Sequence, residues 1–88
     1  MRISCVNTQW VGGIEEISRV GGTQLDGSPW NSPVGDVIEA IRDGQSYFVV
    51  TPVEALLVSV YIDAAGKNRL KAGLDENDAR LLHLARCP

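Results

Sequence analysis

Ser32-Pro33-Val34-Gly35-Asp36-Val37-Ile38-Glu39-Ala40-Ile41-Arg42-Asp43-Gly44, then Gln45, then Ser46-Tyr47-Phe48-Val49-Val50-Thr51, reads as one helix that feeds directly into one strand. Ser32 is a favoured N-cap, because its hydroxyl accepts from an amide of the first turn. Pro33 follows at the first helical position, where a missing N–H costs nothing. Val34, Val37, Ile38 and Ile41 recur at i, i+3, i+4 and i+7, which is one face of a helix, and Asp36, Glu39, Arg42 and Asp43 take the other. Gly44 supplies a left-handed stop. Ser46 to Thr51 is aromatic and β-branched, with apolar side chains on both faces, so a central strand covered on two sides is expected, ended by Pro52. Burying the four aliphatic side chains contributes about 6–12 kcal/mol before entropy is charged. That makes Ile38 and Ile41 expected core residues and the helix the organiser of the fold.

Outward from this stretch, Arg2 to Thr8 reads as a strand and Gln9 to Gly13 as a turn containing Trp10. Ile14 to Val20 is short, β-branched and flanked by glycine pairs, which makes it the return strand of a hairpin. Gly21 to Asn31 reads as a loop, with Leu25 and Trp30 pinning it to the body. On the other side, Leu56 to Ile62 alternates: Leu56, Val58, Val60 and Ile62 line one face, and Leu57, Ser59 and Tyr61 the other. Asp63 to Gly66 is a turn, Lys67 to Ala72 a return strand, and Asp75 or Asn77 caps a short helical tail running through Arg86. The 88 residues form a single domain, 1–88, of α+β class. The expected architecture is an antiparallel sheet of about five strands, in ββαββ-β-α order, with the main helix on one face. The second face then needs cover, from the tail or from another molecule, because Leu57 and Tyr61 leave apolar surface there.

The order of these features resembles a family of small bacterial proteins known only as a domain of unknown function. The features are the Ile3 strand, Val20-Gly21-Gly22, Gly27 with Trp30, Val37-Ile38 and Ile41 before Gly44, and Tyr47-Phe48-Val49-Val50. Arg69-Leu70-Lys71, Asp75, Leu81-Leu82 and Leu84 to Cys87 complete the pattern, which covers nearly the whole chain. Arg69 stands where that family often has an aromatic residue. The resemblance implies the element order and no activity.

Composition and charge limit the function. The net charge of −3 gives no general attraction to nucleic acid or to anionic membranes. No run approaches the ~20 apolar residues of a spanning helix, and Met1 to Asn7 lacks the apolar core of a signal peptide. The cytoplasm is therefore expected, with Cys5 and Cys87 as free thiols. His83 is the single histidine. His83 and Cys87, four apart on a helical tail, with Cys5 as a third ligand, would still leave a zinc site short of its usual four, so no metal or other cofactor is expected. Glu15 and Glu16, adjacent on a strand, point to opposite faces and cannot share a site.

Lys67, Arg69 and Lys71 alternate, so they share a strand face. The half from Ala55 onward carries +1, against −4 before it. The reading that results is a non-catalytic module for protein interaction or self-association through the second sheet face, with no membrane partner. Lys67, Arg69, Lys71, Trp10, Trp30, Leu57 and Tyr61 are its candidate contact residues. The alternative is a weak nucleic-acid-binding module using the Lys67/Arg69/Lys71 face with Trp10 or Trp30 as a stacking surface.

Overall fold

A computed structural model describes all residues, Met1–Pro88. The elements are β1 (Cys5–Val11), β2 (Ile14–Thr23), β3 (Pro29–Pro33), α1 (Val34–Arg42), β4 (Phe48–Val50), β5 (Ala55–Ile62), β6 (Asn68–Ala72), α2 (Ala79–Leu82) and β7 (Ala85–Arg86). The fold is α+β, but the strands form two sheets rather than one sheet of about five. One has the order β3-β2-β1-β7 and the other β4-β5-β6. No helix is long and apolar enough to cross a membrane.

The two sheets meet at the N-terminal segment. The Ile3 amide donates to the Phe48 carbonyl (2.8 Å) and the Phe48 amide to the Met1 carbonyl (3.0 Å), so residues 1–3 run parallel to β4. The same chain then continues into β1, which pairs antiparallel with β2. The central position expected for the Tyr47–Val50 stretch holds: β4 has β5 on one side and the N-terminal segment on the other, and Tyr47 and Val49 are buried.

The extra strand is β3, which lies inside the expected Gly21–Asn31 loop. The true connection is only Gln24 to Ser28. Ser28 donates its amide to the Asp26 carboxylate (2.9 Å), and the Gln24 amide donates to the Ser28 carbonyl (2.8 Å), which closes a hairpin. Trp30 and Asn31 therefore lie opposite Gly22 and Gly21. Ser32 belongs to this strand and does not cap α1. Pro33 occupies the N-cap position, and no side chain caps the helix. The far end follows the expectation. Gly44 has a positive φ of 97°, its amide donates to Ile41 and that of Gln45 to Ala40, which are the paired bonds of a glycine stop. Val37 and Ile38 are buried against the sheets, while Ile41 is only half-buried. Packing against β2, β3, β5 and β6 places α1 between the two sheets.

The tail departs furthest from expectation. The N-cap residue is Asp78, without a side-chain cap bond, in place of the expected Asp75 or Asn77. The Asn77 side-chain oxygen, one residue earlier, accepts from the Ala79 amide (2.9 Å), and the helix ends at Leu82. The chain then extends, and β7 pairs parallel with Cys5 and Val6. This return brings Cys87 to a Cα separation of 4.9 Å from Cys5, and the two form a disulfide instead of the expected free thiols. The room for it comes from Gly21. A Cβ there would lie 3.1 Å from each sulfur and 2.6 Å from the Trp30 carbonyl oxygen. A Cβ on Gly22 would run into the Arg2 carbonyl. This glycine pair, expected to end a strand, thus lies within β2 at a point of close approach.

Two stability predictions follow from these contacts. Reducing the disulfide, or the change Cys87→Ser, should cost on the order of 2–4 kcal/mol, because the bond closes a loop of 82 residues. A melting temperature indifferent to reductant would refute this. Leu81 has no solvent exposure, so Leu81→Ala should cost roughly 2–5 kcal/mol by chemical denaturation, although it lies in a helix of four residues.

Candidate interaction surface

The register of β4, β5 and β6 separates two faces. Val49 opposite Leu56, Val58 opposite Ala72 and Val60 opposite Leu70 form the inner face, and Val49, Val58, Leu70 and Ala72 are buried. Phe48 opposite Leu57, Val50 opposite Ala55, Ser59 opposite Lys71 and Tyr61 opposite Arg69 form the other face. This division of β5 is the one its alternation predicts. The second face itself divides into a charged end and an apolar end.

At the charged end, the Arg69 guanidinium donates to Asp63 (2.6 Å) and to Glu16 (2.9 Å), with Asp78 at 3.8 Å. Lys67 donates to the other Glu16 oxygen at 2.5 Å. Glu16 is only 6% exposed, so a nearly buried carboxylate on β2 is held by two cations beside β6. Lys67 and then Arg69 hold its pKa below the ordinary value, against the opposing effect of burial. Asp63 is lowered mainly by Arg69, with help from the Lys67 and Ala65 amides. The Arg69 pKa is raised, chiefly by Asp63. Tyr61 is raised by burial and then by the nearby Asp78 carboxylate. Glu15, on the opposite side of β2, instead accepts from Thr8 and Arg86, so the two adjacent acids separate as expected.

The basic stripe is therefore largely committed to the protein's own acids. Lys67 and Arg69 face Glu16, Asp63 and Asp78, and Lys71 alone of the three makes no ion pair. Asp78, just before α2, also covers Tyr61. The tail thus closes this end of the second face.

The apolar end has no such cover. Leu57 is 61% exposed and Val50 44% exposed. Through Phe48 this face continues into an open groove of about 630 Å3 between the N-terminus and the β2–β3 hairpin. Met1, Arg2, Leu25, Trp30 and Phe48 are among its lining residues. Trp30 is fixed by packing on Tyr47, with ring centroids 5.9 Å apart and planes tilted by 54°. Its indole Nε1 is buried without an acceptor. Leu25, expected to pin a loop, stands fully exposed at the hairpin tip on the groove's rim.

Of the seven candidate residues, the second face brings together Leu57, Tyr61, Arg69 and Lys71, and Trp30 lies in the adjoining groove. Lys67 precedes β6 and turns to Glu16. Trp10 lies apart, 71% exposed near the β1–β2 turn. Val50, Phe48 and Leu25 were not among the candidates. Two-residue alternation places Phe48 and Val50 on one face of their strand, and the pairing of β4 with β5 puts that face with Leu57. His83 is the C-cap residue of α2, and the sulfurs of Cys5 and Cys87 are bonded to each other, so the three do not form the thiolate–imidazole cluster considered from the sequence. Comparison with family models, with curated proteins and with solved structures returns no match for this chain.

The ion-pair cluster predicts an acid limb to stability. Glu16 and Asp63 have folded-state pKa values below the ordinary 4.5 and 3.8, so their contribution is present above those values and is lost as pH falls through the folded ones. Urea midpoints should hold down to about pH 5 and decline below it. Glu16→Gln should lower the midpoint at neutral pH and flatten that decline. An unchanged slope would show that Glu16 does not carry it.

Proposed function

We propose that this chain is a non-catalytic protein-interaction module. Its binding surface is the apolar corner formed by Trp30 and Phe48 in the groove and by Val50 and Leu57 on the adjoining face. The observation that carries this reading is the continuity of that surface. A groove with an aromatic floor opens onto exposed aliphatic side chains on a protein of 88 residues, and nothing in the chain covers it. A few anchor residues, Trp prominent among them, carry most of the energy in protein interfaces.

The nucleic-acid alternative has less support. Affinity for phosphate comes from cations free to displace counterions, and here Lys67 and Arg69 are matched by three carboxylates. The disulfide also bears on location. Such bonds persist in oxidising compartments and are rare where thiols are kept reduced. The setting proposed for this module is therefore an oxidising one, not the cytoplasm expected from composition.

Selection from a random peptide display library tests the reading. Ligands should be rich in large apolar residues, should lose at least about tenfold in affinity on Leu57→Asp, equivalent to about 1.4 kcal/mol, and should be unaffected by Lys71→Gln. Both changes are at exposed or half-buried positions, so circular dichroism should show the fold retained. Acidic ligands that respond to Lys71→Gln and not to Leu57→Asp would overturn the proposal.

A further inference from the structure

The two outer strands of the β3-β2-β1-β7 sheet are protected very differently. At β3 the Gln24–Ser28 bond sets the alternation. Trp30 and Ser32 direct their backbone groups to β2, and Pro29, Asn31 and Pro33 direct theirs outward. Two of those three residues have no N–H. This edge therefore offers a single amide donor and is closed to strand addition.

The far edge of β1 has no such guard. The two-residue Gly12-Gly13 turn makes Val11 and Ile14 the last hydrogen-bonded pair, so Gln9 and Val11 point to β2 while Thr8 and Trp10 point away from it. The Val6 carbonyl, two residues earlier on that edge, is taken by the Cys87 amide (3.1 Å). In the sheet order β7 is outermost on this side, and it pairs only with Cys5 and Val6. Gln9, Trp10 and Val11 are exposed, uncharged and free of proline, and Ile14 beside them is 61% exposed.

We propose that this edge pairs with the same edge of a second copy of the chain, antiparallel, about a two-fold axis through Trp10. Cys87 lies beside Asn7, its carbonyl accepting from the Asn7 side chain, which leaves Gln9 to Gly12 for a partner. In the register centred on Trp10, each Trp10 N–H meets the other copy's Trp10 carbonyl, and the two indoles face each other. Gln9 meets Val11, so no like charges oppose. The backbone pattern is self-complementary, as a two-fold interface requires. The result is one continuous sheet through both copies, with the apolar corner of each left free. The site is separate from that corner, and the dimer stands or falls independently of the binding proposed there.

Sedimentation of the full chain, disulfide intact, from about 10 µM to about 1 mM covers the range of a weak interface. A monomer–dimer equilibrium is expected. Trp10→Lys places two cations across the axis and should shift the dissociation constant at least tenfold. The position is solvent-exposed, so circular dichroism and melting temperature should be unchanged. In Trp10→Cys, a short bismaleimide should trap dimers that Leu57→Cys does not give. Monomer at every concentration, a dimer indifferent to Trp10→Lys, or trapping through Leu57→Cys in place of Trp10→Cys would each overturn the proposal.

Discussion

The structure depends on one strand serving two sheets. Residues 1–3 complete the edge of β4, and a few residues later the same chain becomes the partner of β2 and β7. Ile3 and Val6, on either side of this change of partner, are among the most buried residues. A strand that changes sheets fixes the relation of the two layers, and α1 fills the space between them. The disulfide acts at the same place. It holds the returning tail against Cys5, the first residue of β1, and the absence of a Cβ at Gly21 lets both sulfurs and the Trp30 strand approach together.

Where local chemistry determines local structure, the sequence was a good guide. The helical face of Val34 to Ile41, the Gly44 stop, the alternation of β5 and the Asp63–Gly66 turn all appear where periodicity places them. The failures share a cause. Pro29-Trp30-Asn31-Ser32-Pro33 has the composition of a loop, but an edge strand needs ladder bonds on one side only, so its prolines can sit on the other. Leu84 to Cys87 has no local signal for a strand, and its form is imposed by β1. The disulfide depends on that long-range return, and thiol pairing was therefore invisible in spacing alone. The candidate site was legible to the same degree. Strand parity grouped Leu57 with Tyr61 and, separately, Lys67 with Arg69 and Lys71. That the two sets share a face follows from the β5–β6 register, and that two of the three basic residues are neutralised follows from the approach of Glu16, which only tertiary structure supplies.

Glu16 shows what a nearly buried charge does here. Desolvating a carboxylate is costly, and replacing such pairs by apolar residues is often neutral or stabilising, so the cluster is weak evidence of stability as such. Its geometric consequence is firmer. Glu16 lies on β2, Lys67 and Arg69 on or beside β6, and these elements share no backbone pairing. A slip of one residue in the β1–β2 hairpin would carry Glu16 to the other face and strand both cations. The cluster thus ties the register of one sheet to that of the other.

The same parity argument bears on the apolar corner. On β5, Leu57, Ser59 and Tyr61 occupy equivalent positions on the second face. Tyr61 is needed, because the Asp78 segment closes over it. Ser59 shows that a small polar residue fits this face. Leu57 packs into no buried cluster, and a core built from Val49, Val58, Leu70 and Ala72 on the opposite side does not require it. Val50, 44% exposed and likewise absent from that cluster, presents the same case beside it. Apolar surface that folding does not use is an aggregation hazard unless something else binds it. The proposed recognition surface lies where these side chains adjoin the groove that holds Trp30, away from the charged cluster.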